Sequence, residues 1–395
     1  MENFVWHNPT KVLFGKDTVP ELIKLMKADN IKNVLVLYGG KAIFKNGAYA
    51  QVIKALSENK INFTEIGGVK PNPRIDKVRE AVNRIKMQAE SSPNEKFDAI
   101  LPIGGGSVFD SSKAIAAGAL YHGDVWDFFD GKAKVESALP IYGVLTVSAT
   151  SSEVNGIAVV TNPDKEAKTS MSSDLVYPRA AAIDPSFQIT LPNKQTVNGG
   201  VDIISHILER VLDGDEGAYI MDDQGYSLIR NMMRIIPDLL EEPKNYDLRA
   251  EYAWIASIAH SGFLSCGRKG RGDFSSHKLG HSLSLLFDVP HGASLSVMTP
   301  AWARYLYEDN PVPFARLAEN VFDIFDGSDE DKAIDAIEAL EDFFSSIGAP
   351  TTLRELDIDE SEIERIAENA SKGGAFGKLS KLEPEDVLEI YKLAY

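Results

Sequence analysis

The chain has 395 residues, of which 44% are hydrophobic and 25% are charged, and it carries a formal net charge of −17. This length is greater than one compact core usually holds, so we expect two domains. The negative charge argues against binding to nucleic acid or to an anionic membrane surface, because both need a basic face on the protein.

The single cysteine and the first six residues indicate the cellular compartment in which the protein is expected to reside. Cys266 excludes an internal disulfide and fits a reducing environment. No motif that activates a thiol surrounds it, so we interpret it as a small buried residue. The first six residues lack the basic and apolar regions of a signal peptide, and no apolar run is long enough to span a bilayer. We therefore expect a soluble, cytoplasmic protein.

Residues 1–190 alternate short β-rich runs with amphipathic helical stretches. Residues 4–15 read as a strand pair with a Pro-containing turn, and residues 33–40 as a buried parallel strand that ends in glycines. The segments that follow are a helix at 49–59, a strand at 62–66, a helix at 75–90, a strand at 99–103 and a helix at 107–121. This alternation predicts an α/β domain with a doubly wound, Rossmann-like parallel sheet and right-handed crossovers.

A glycine-rich loop joins the strand at 99–103 to the helix after it. Gly104, Gly105, Gly106 and Ser107 let a ligand approach the backbone closely, and the new helix supplies free N–H groups and a positive dipole end. The loop is neither the Gly-x-Gly-x-x-Gly fingerprint nor a Walker loop. By position it is still expected to bind a pyrophosphate. The alternative is a merely tight strand-to-helix turn, which needs one glycine rather than three.

Two further segments of this half are candidates for the nucleotide site. Residues 145–155 place many hydroxyl groups after an apolar strand, which suits a loop lining a polar ligand or, equally, a helix N-cap. The strand at 33–38 leads into Gly39, Gly40 and Lys41, with no acid to bind a ribose 2′-hydroxyl or repel a 2′-phosphate. The nearby lysine favours NADP(H) over NAD(H).

Residues 191–395 show a different sequence pattern, in which apolar residues recur with helical periodicity and few β-branched runs occur. The predicted helices lie at 196–212, 222–242, 247–264, 314–325, 332–347 and 360–369. An acidic loop at 326–331 is interpreted as a helix N-terminus. This half is therefore predicted to be an all-helical domain that begins near residue 191.

Four residues of the second half form a candidate metal site. Asp202 and His206 are spaced by four on a predicted helix, which places both side chains on one face. His277 and His291 follow about seventy residues later and complete a set of one carboxylate and three imidazoles. Such a set suits Fe(II) or Zn(II) and is too rich in nitrogen for Mg or Ca. Taken alone, the helical pair also fits capping or a satisfied core histidine.

With both motifs considered, the sequence resembles the iron-containing (group III) alcohol dehydrogenase family over essentially its whole length. Within that family it looks most similar to the NAD(P)H-dependent butanol dehydrogenases and broad-range aldehyde reductases. The resemblance implies a dehydroquinate synthase-like architecture, with a dinucleotide-binding domain at 1–190 and a metal-binding domain at 191–395. Its most specific parts are the glycine loop with Asp110 and Lys113, the pair of Asp202 and His206, and the block at 272–292.

The resemblance also implies roles for individual residues. The metal ligands are Asp202, His206, His277 and His291. For the cofactor it implies Gly104, Gly105, Gly106 and Ser107 at the pyrophosphate with Asp110 in the same motif, Thr146, Thr150 and Asn155 around the nicotinamide half, and Lys168 at the ribose or phosphate. Gly39, Gly40 and Lys41, taken from the end of the strand at 33–38, complete the predicted cofactor-binding set. Without the resemblance, Lys168 reads as a solvated charge in a turn. His281, one turn after His277, matches a histidine near the nicotinamide and the substrate.

The chemistry implied is hydride transfer between nicotinamide C4 and a carbonyl carbon, in a cleft between the two domains. A metal, expected to be Fe(II) with Zn(II) as the alternative, polarises the substrate oxygen. His281 is expected to move the proton to and from the alkoxide; its alternative role is to orient His277 or a water on the metal. We expect short to medium primary alcohols and aldehydes as substrates. A homodimer that pairs through an exposed edge at residues 4–14 is also expected.

Two rival interpretations differ in class. Dehydroquinate synthase-like lyases and glycerol-1-phosphate dehydrogenases share this architecture but need several basic residues to hold a phosphate or a carboxylate. Residues 273–292 offer Lys278 alone, with Arg268, Lys269 and Arg271 just upstream. A non-catalytic metal- or nucleotide-binding module is the other rival. It predicts a closed coordination shell, which the additional histidine His281 argues against.

Overall fold

The computed structural model describes all 395 residues. Six parallel strands form one sheet in the order β1-β8-β5-β4-β2-β3, and β6 and β7 form a separate antiparallel pair. The strands are β1 Lys11–Phe14, β2 Asn33–Tyr38, β3 Asn62–Ile66, β4 Ala99–Gly104, β5 Tyr142–Leu145, β6 Ile157–Asn162, β7 Ala167–Ser172 and β8 Ala180–Ile183. The predicted parallel sheet is therefore confirmed, while the β6–β7 hairpin was not predicted.

Helices cover both faces of the sheet, as the apolar strand sequences require. In β2, Val34 and Val36 point into a core shared with helices α1 and α3, whereas Leu35 and Leu37 point into a core shared with α4 and α5. Because side chains alternate along a strand, a strand that is buried on both faces is apolar throughout. The helices of this half are α1 Val19–Ala28, α2 Ala42–Lys45, α3 Ala48–Glu58, α4 Ile75–Ser91 and α5 Gly106–Ala119.

The strand pair predicted at residues 4–15 is wrong. Only β1 forms there, and it pairs in parallel with β8, from Lys11 opposite Ala180 to Phe14 opposite Ile183. Pro9 has no N–H group to donate to a ladder, which opposes a hairpin at this point. The first residues are held by other contacts, since the Glu2 N–H group donates to the Gly267 carbonyl oxygen and the Trp6 ring contacts Phe263.

The second half is helical, as predicted. Its helices are α6 Asn193–Val211, α7 Tyr219–Glu241, α8 Tyr246–Ala259, α9 Ser275–Phe287, α10 His291–Leu306, α11 Pro311–Val321, α12 Asp329–Ser346, α13 Ile363–Ser371 and α14 Pro384–Leu393. The acidic loop is a helix start, where Ser328 and Asp331 form a capping box at α12. Helix α8 ends five residues before the predicted position, ahead of Gly262 at φ 89°. Helices α9 and α10 were not predicted because buried serines and histidines interrupt their apolar pattern.

The chain divides into two compact units. The helical unit comprises Met1–Trp6, Pro192–Glu242 and Ile258–Tyr395, and the α/β unit comprises His7–Leu191 and Pro243–Ser257. The domains inferred from the sequence, 1–190 and 191–395, stay a prediction; they differ from these units in the N-terminal segment and in most of α8. None of the helices combines the length and the apolar character that crossing a membrane requires.

Candidate active site

Three helices of the helical unit bring the predicted metal ligands together. Asp202 and His206 lie one turn apart on α6, His277 lies in the first turn of α9, and His291 is the first residue of α10. One oxygen of Asp202, Oδ1, is 3.4 Å from His206 Nδ1, 3.8 Å from His277 Nε2 and 3.7 Å from His291 Nε2. Donor atoms of Asp202, His277 and His291 all lie within 4.8 Å of one another. His206 adjoins this group through its contact with Asp202.

Two glycines permit the close helix packing behind this cluster. A Cβ atom on Gly292, next to His291, would overlap the Asn198 carbonyl group of α6. A Cβ atom on Gly280 would lie 2.7 Å from Ser294 Oγ of α10. Larger residues at either position would therefore push α10 away from its neighbours, and His291 away from Asp202.

The donor chemistry of the cluster fits a borderline divalent metal. His206 Nδ1 and His277 Nε2 are buried and make no hydrogen bond, which is costly unless another partner satisfies them. Burial, together with the charges of His260 and His277, holds the pKa of His206 well below its ordinary value. A neutral imidazole presents a lone pair, and an imidazole-rich set with one carboxylate suits Fe(II) or Zn(II).

Glu209 is a buried residue of the site that the sequence analysis missed. It follows His206 by three residues on α6, and its Oε1 atom lies 2.8 Å from His277 Nδ1 and accepts a 2.6 Å hydrogen bond from Ser276 Oγ. Burial by itself would raise the pKa of Glu209, but the hydrogen bonds from His277 and Ser276 outweigh it and the pKa is lowered. Its spacing from Asp202 and His206, on the same face of the helix, was the signal available in the sequence.

Three other side chains surround the cluster. His281, one turn after His277 on α9, has its ring centroid 5.4 Å from that of His291, so it lies beside the predicted ligands. His260 stacks on His206 with a centroid separation of 4.5 Å, and its Nδ1 atom is 2.5 Å from a guanidinium nitrogen of Arg210. His260 and Arg210 were not predicted as site residues. Both residues contact His206, since His260 stacks on its ring and Arg210 donates to its carbonyl oxygen.

The glycine loop of the α/β unit turns from β4 into α5, and all three of its glycines are required for packing. A Cβ atom on Gly105 would lie 2.9 Å from the Val147 Cβ atom, and Cβ atoms on Gly104 and Gly106 would overlap the Val108 and Thr150 side chains. The argument that a tight turn needs only one glycine is therefore wrong for this loop. The first N–H groups of α5 have no acceptor within the helix, which leaves them suited to a pyrophosphate.

Asp110 and Lys113, from the first two turns of α5, are buried in a polar network. Lys113 Nζ donates to Ser152 Oγ and Asn155 Oδ1 at 2.8 Å and to the Ile157 carbonyl oxygen at 2.7 Å. Asp110 accepts from Ser152 Oγ at 2.5 Å. Burial lowers the pKa of Lys113 to about 8. This network fixes the loop at residues 150–157 to α5, and cofactor contacts by Asp110 and Asn155 stay a prediction.

The second polar segment is bound to the glycine loop. The Thr146 N–H group donates to the Gly104 carbonyl oxygen at 2.9 Å, and the Ser152 N–H group donates to Thr150 Oγ1 at 3.2 Å. Thr146 is buried, whereas Thr150 is partly exposed. The backbone hydrogen bond of Thr146 therefore holds the start of the second segment beside the glycine loop, and nucleotide binding by the two stays a prediction.

The other predicted cofactor residues also belong to the α/β unit. Lys168 lies on β7 and donates to Asn72 Oδ1 at 2.9 Å, so the interpretation as a solvated charge in a turn is wrong. Gly39 follows β2, and its carbonyl oxygen accepts from Gly68. A Cβ atom on Gly40 would meet nothing within 4 Å. Lys41 is exposed at the start of α2.

Comparison with known proteins gives matches along the whole chain. Residues 9–185 match the model of iron-containing alcohol dehydrogenases, and residues 196–395 match that of the C-terminal region of the same family. The chain is 38% identical over 394 residues to a protein named probable NADH-dependent butanol dehydrogenase 1 from Bacillus subtilis, with 99% of each chain covered. It is 33% identical to the Escherichia coli NADPH-dependent aldehyde reductase YqhD, with 95% of this chain and 94% of the relative covered.

A solved structure agrees with these sequence matches. The crystal structure of NADH-dependent butanol dehydrogenase A from Thermotoga maritima superimposes with a TM-score of 0.95 at 46% identity, covering 100% of this chain and 99% of that one. The family predicted from the sequence is thereby confirmed. The chain belongs to the iron-containing alcohol dehydrogenase family.

Proposed function

We propose that this chain catalyses metal-dependent hydride transfer between NAD(P)H and short to medium aldehydes or the corresponding primary alcohols. The observation that carries the proposal is the cluster of Asp202, His206, His277 and the partly exposed His291, in a chain whose family includes butanol dehydrogenases and an aldehyde reductase. Butyraldehyde and butanol are the substrates to test first, because they are the reactants that the names of the relatives indicate.

The four clustered residues would hold the metal, for which Fe(II) is our first choice and Zn(II) the alternative. The unpartnered nitrogens of His206 and His277 support this assignment. When bound, the metal supplies a Lewis acid for the carbonyl oxygen, and the reduced nicotinamide supplies the hydride. The carboxylate of Asp202 would offset only part of the charge of a divalent ion, so the occupied site would favour negative charge on the substrate oxygen.

His281 is proposed to move the proton at the substrate oxygen. Its ring lies beside His291 and is partly exposed, so it contacts the predicted ligand set while remaining accessible. An imidazole ring can both donate and accept a proton, so it is suited to both directions of the reaction. In aldehyde reduction it donates a proton to the developing alkoxide, and in alcohol oxidation it accepts that proton.

The glycine loop and the segment bound to it are proposed to hold the dinucleotide. The loop Gly104–Ser107 leads into α5 and would offer the first N–H groups of that helix to the pyrophosphate. Thr146, Thr150 and Asn155 lie in the segment we assign to the nicotinamide half, and Lys168 is assigned to the cofactor ribose or phosphate. NADP(H) is the preferred cofactor in this proposal, since no acid follows β2 and Lys41 is exposed there. The Bacillus relative is named for NADH, so both nucleotides must be compared directly.

The proposal is tested by the anaerobic oxidation of NADPH, and separately of NADH, in the presence of butyraldehyde and Fe(II)-loaded protein. We expect a fall in nicotinamide absorbance that depends on the aldehyde and stops when the metal is removed by a chelator. No turnover with any aldehyde, in protein shown to hold both metal and nucleotide, would overturn the proposal. A homodimer and a cytoplasmic location remain predictions from the sequence, and the same preparation gives the oligomeric state by light scattering.

A further inference from the structure

The carboxylate of Glu209 binds the segment that carries His277 through several hydrogen bonds. Glu209 is 2% exposed. Its Oε1 atom accepts from Ser276 Oγ at 2.6 Å and from the His277 N–H group at 3.1 Å, and lies 2.8 Å from His277 Nδ1. Its Oε2 atom accepts from the Phe274 N–H group at 2.6 Å. One side chain on α6 therefore fixes both the backbone and the imidazole at the start of α9.

This contact determines which nitrogen of His277 carries the proton. Each oxygen of Glu209 already accepts from a backbone N–H group, of Phe274 or of His277, so the carboxylate is the acceptor and His277 Nδ1 is the donor in this contact. The lone pair then resides on Nε2. That atom is buried without a hydrogen-bond partner and lies 3.8 Å from Asp202 Oδ1, on the side of the ring where the predicted metal site lies.

The backbone around this contact is also constrained. Phe274 has φ 62°, a left-handed conformation that is strained for a bulky residue and persists only where surrounding contacts impose it. Two residues earlier, Gly272 has φ +123°, and a Cβ atom there would lie 2.7 Å from the Glu209 carbonyl oxygen. The same carbonyl oxygen accepts from the Asp273 N–H group at 2.7 Å. Glu209 thus contacts the turn through its backbone as well as its side chain.

The hydrogen bonds of Glu209 continue to the third helix of the site. Ser276, which donates to Glu209, accepts a 3.3 Å hydrogen bond from Thr299 Oγ1. Thr299 lies on α10, the helix that begins with His291. Through these buried contacts Glu209 connects the three helices that carry the predicted ligands.

We infer that Glu209 is a positioning residue of the metal site, which holds His277 as the Nδ1–H tautomer with Nε2 directed at the ion and thereby sets the affinity for divalent metal. The inference rests on the metal site proposed above. Carboxylates that accept the second ring N–H group of a ligating histidine typically change metal affinity by about 10- to 100-fold when they are replaced. Glu209 does not contact substrate or nicotinamide in this account.

The experiment compares Co(II) binding to metal-free wild type, Glu209→Gln and Asp222→Asn. Glutamine keeps the size of the side chain, but it is a weaker acceptor, and its amide nitrogen faces either the Phe274 N–H group or the donors on the other side, which are the Ser276 hydroxyl group and the His277 N–H groups. Asp222 is the matched control, because it is another buried carboxylate of the helical unit and pairs with Arg268 at 2.5 Å. The readouts are the Co(II) dissociation constant, from competition with a chelator, and the visible absorption of bound Co(II).

We expect the dissociation constant of Glu209→Gln to rise by about 10- to 100-fold with an altered Co(II) spectrum, while Asp222→Asn keeps the wild-type constant despite its lower stability. A wild-type constant and spectrum in folded Glu209→Gln would overturn the inference. If wild type itself bound no Co(II), the metal site of the proposed function would fail instead.

A second measurement applies even if the variant does not fold. Nitrogen-15 NMR of histidine-labelled wild type reports which ring nitrogen of each imidazole is protonated. We expect His277 to carry its proton on Nδ1. A proton on Nε2 of His277 in the metal-free protein would overturn the inference whatever the metal titration shows.

Discussion

The predicted metal site in the helical unit and the glycine loop in the α/β unit differ in whether their buried polar groups have hydrogen-bond partners in the protein. In the metal cluster, nitrogens of His206 and His277 are buried without a hydrogen-bond partner. In the glycine loop region, Lys113 and Asp110 have their hydrogen bonds met by neighbouring protein groups. A bound ligand could therefore satisfy the two imidazole nitrogens of the metal cluster, whereas the buried charges near the glycine loop are already hydrogen-bonded within the protein.

The two motifs therefore carry different information about function. Buried ring nitrogens without a hydrogen bond, such as His206 Nδ1 and His277 Nε2, are costly in a stable fold, so they point to a ligand directly. A glycine-rich loop with buried charges can be accounted for by packing alone, and only the free N–H groups at the start of α5 point to a ligand. Replacing residues in the two regions is therefore expected to change different quantities.

The largest effect is expected from His277→Ala, which removes an imidazole from the metal cluster. Aldehyde-dependent oxidation of NAD(P)H should fall by more than the ~100-fold that replacing a supporting residue typically causes, and metal content after reloading should fall with it. The exposed His122→Ala is the matched control and should retain both. Normal metal content and turnover in His277→Ala would show that His277 is not a metal ligand.

Lys113→Met should mainly reduce stability. The variant removes the donor from three acceptors in a fully buried network and leaves Asp110 without the nearby cation, which is expected to lower the free energy of unfolding by about 3 kcal/mol. Chemical denaturation of the metal-loaded protein measures this change. Lys54→Met, at an exposed position on α3, should change it by less than about 0.5 kcal/mol. A Lys113 variant as stable as wild type would show that the network is dispensable.

Gly106→Ala tests whether packing explains the glycine loop. The added methyl group would overlap Thr150, and such overpacking typically costs about 1–3 kcal/mol. The double variant Gly106→Ala with Thr150→Ala should recover part of that loss, whereas Gly40→Ala, which meets open space, should cost little. The midpoint of thermal unfolding, measured for wild type and for the three variants, gives these differences in stability. A Gly106 variant with unchanged stability but weaker nucleotide binding would favour direct ligand contact over packing.

The smallest effect is expected from Lys41→Glu, which changes the choice of nucleotide without affecting the fold. Repulsion of the 2′-phosphate should lower the ratio of kcat/KM for NADPH to that for NADH by about tenfold, equivalent to ~1.4 kcal/mol. The exposed Lys54→Glu serves as the control for the change in net charge. An unchanged ratio would show that residues other than those following β2 determine the choice between NADPH and NADH.

Much of the fold could be predicted, because buried parallel strands and amphipathic helices leave clear periodicities. The clustering of the four residues predicted to bind metal was also accessible from the spacing of Asp202 and His206 and from the scarcity of histidine. Glu209 was missed because its role depends on a contact with His277, 68 residues away in sequence. The strand pair at residues 4–15 was mispredicted, since local β propensity does not reveal that the first residues contact the segment around Gly267.

Metal occupancy is expected to control hydride transfer by this protein. We would titrate metal-free protein with Fe(II) under anaerobic conditions while following the butyraldehyde-dependent oxidation of NADPH and of NADH. The account predicts that activity is absent at first, rises in proportion to bound Fe(II) and reaches a plateau at about one ion per chain, as expected for a single cluster of ligands. Full activity in the metal-free protein would contradict it.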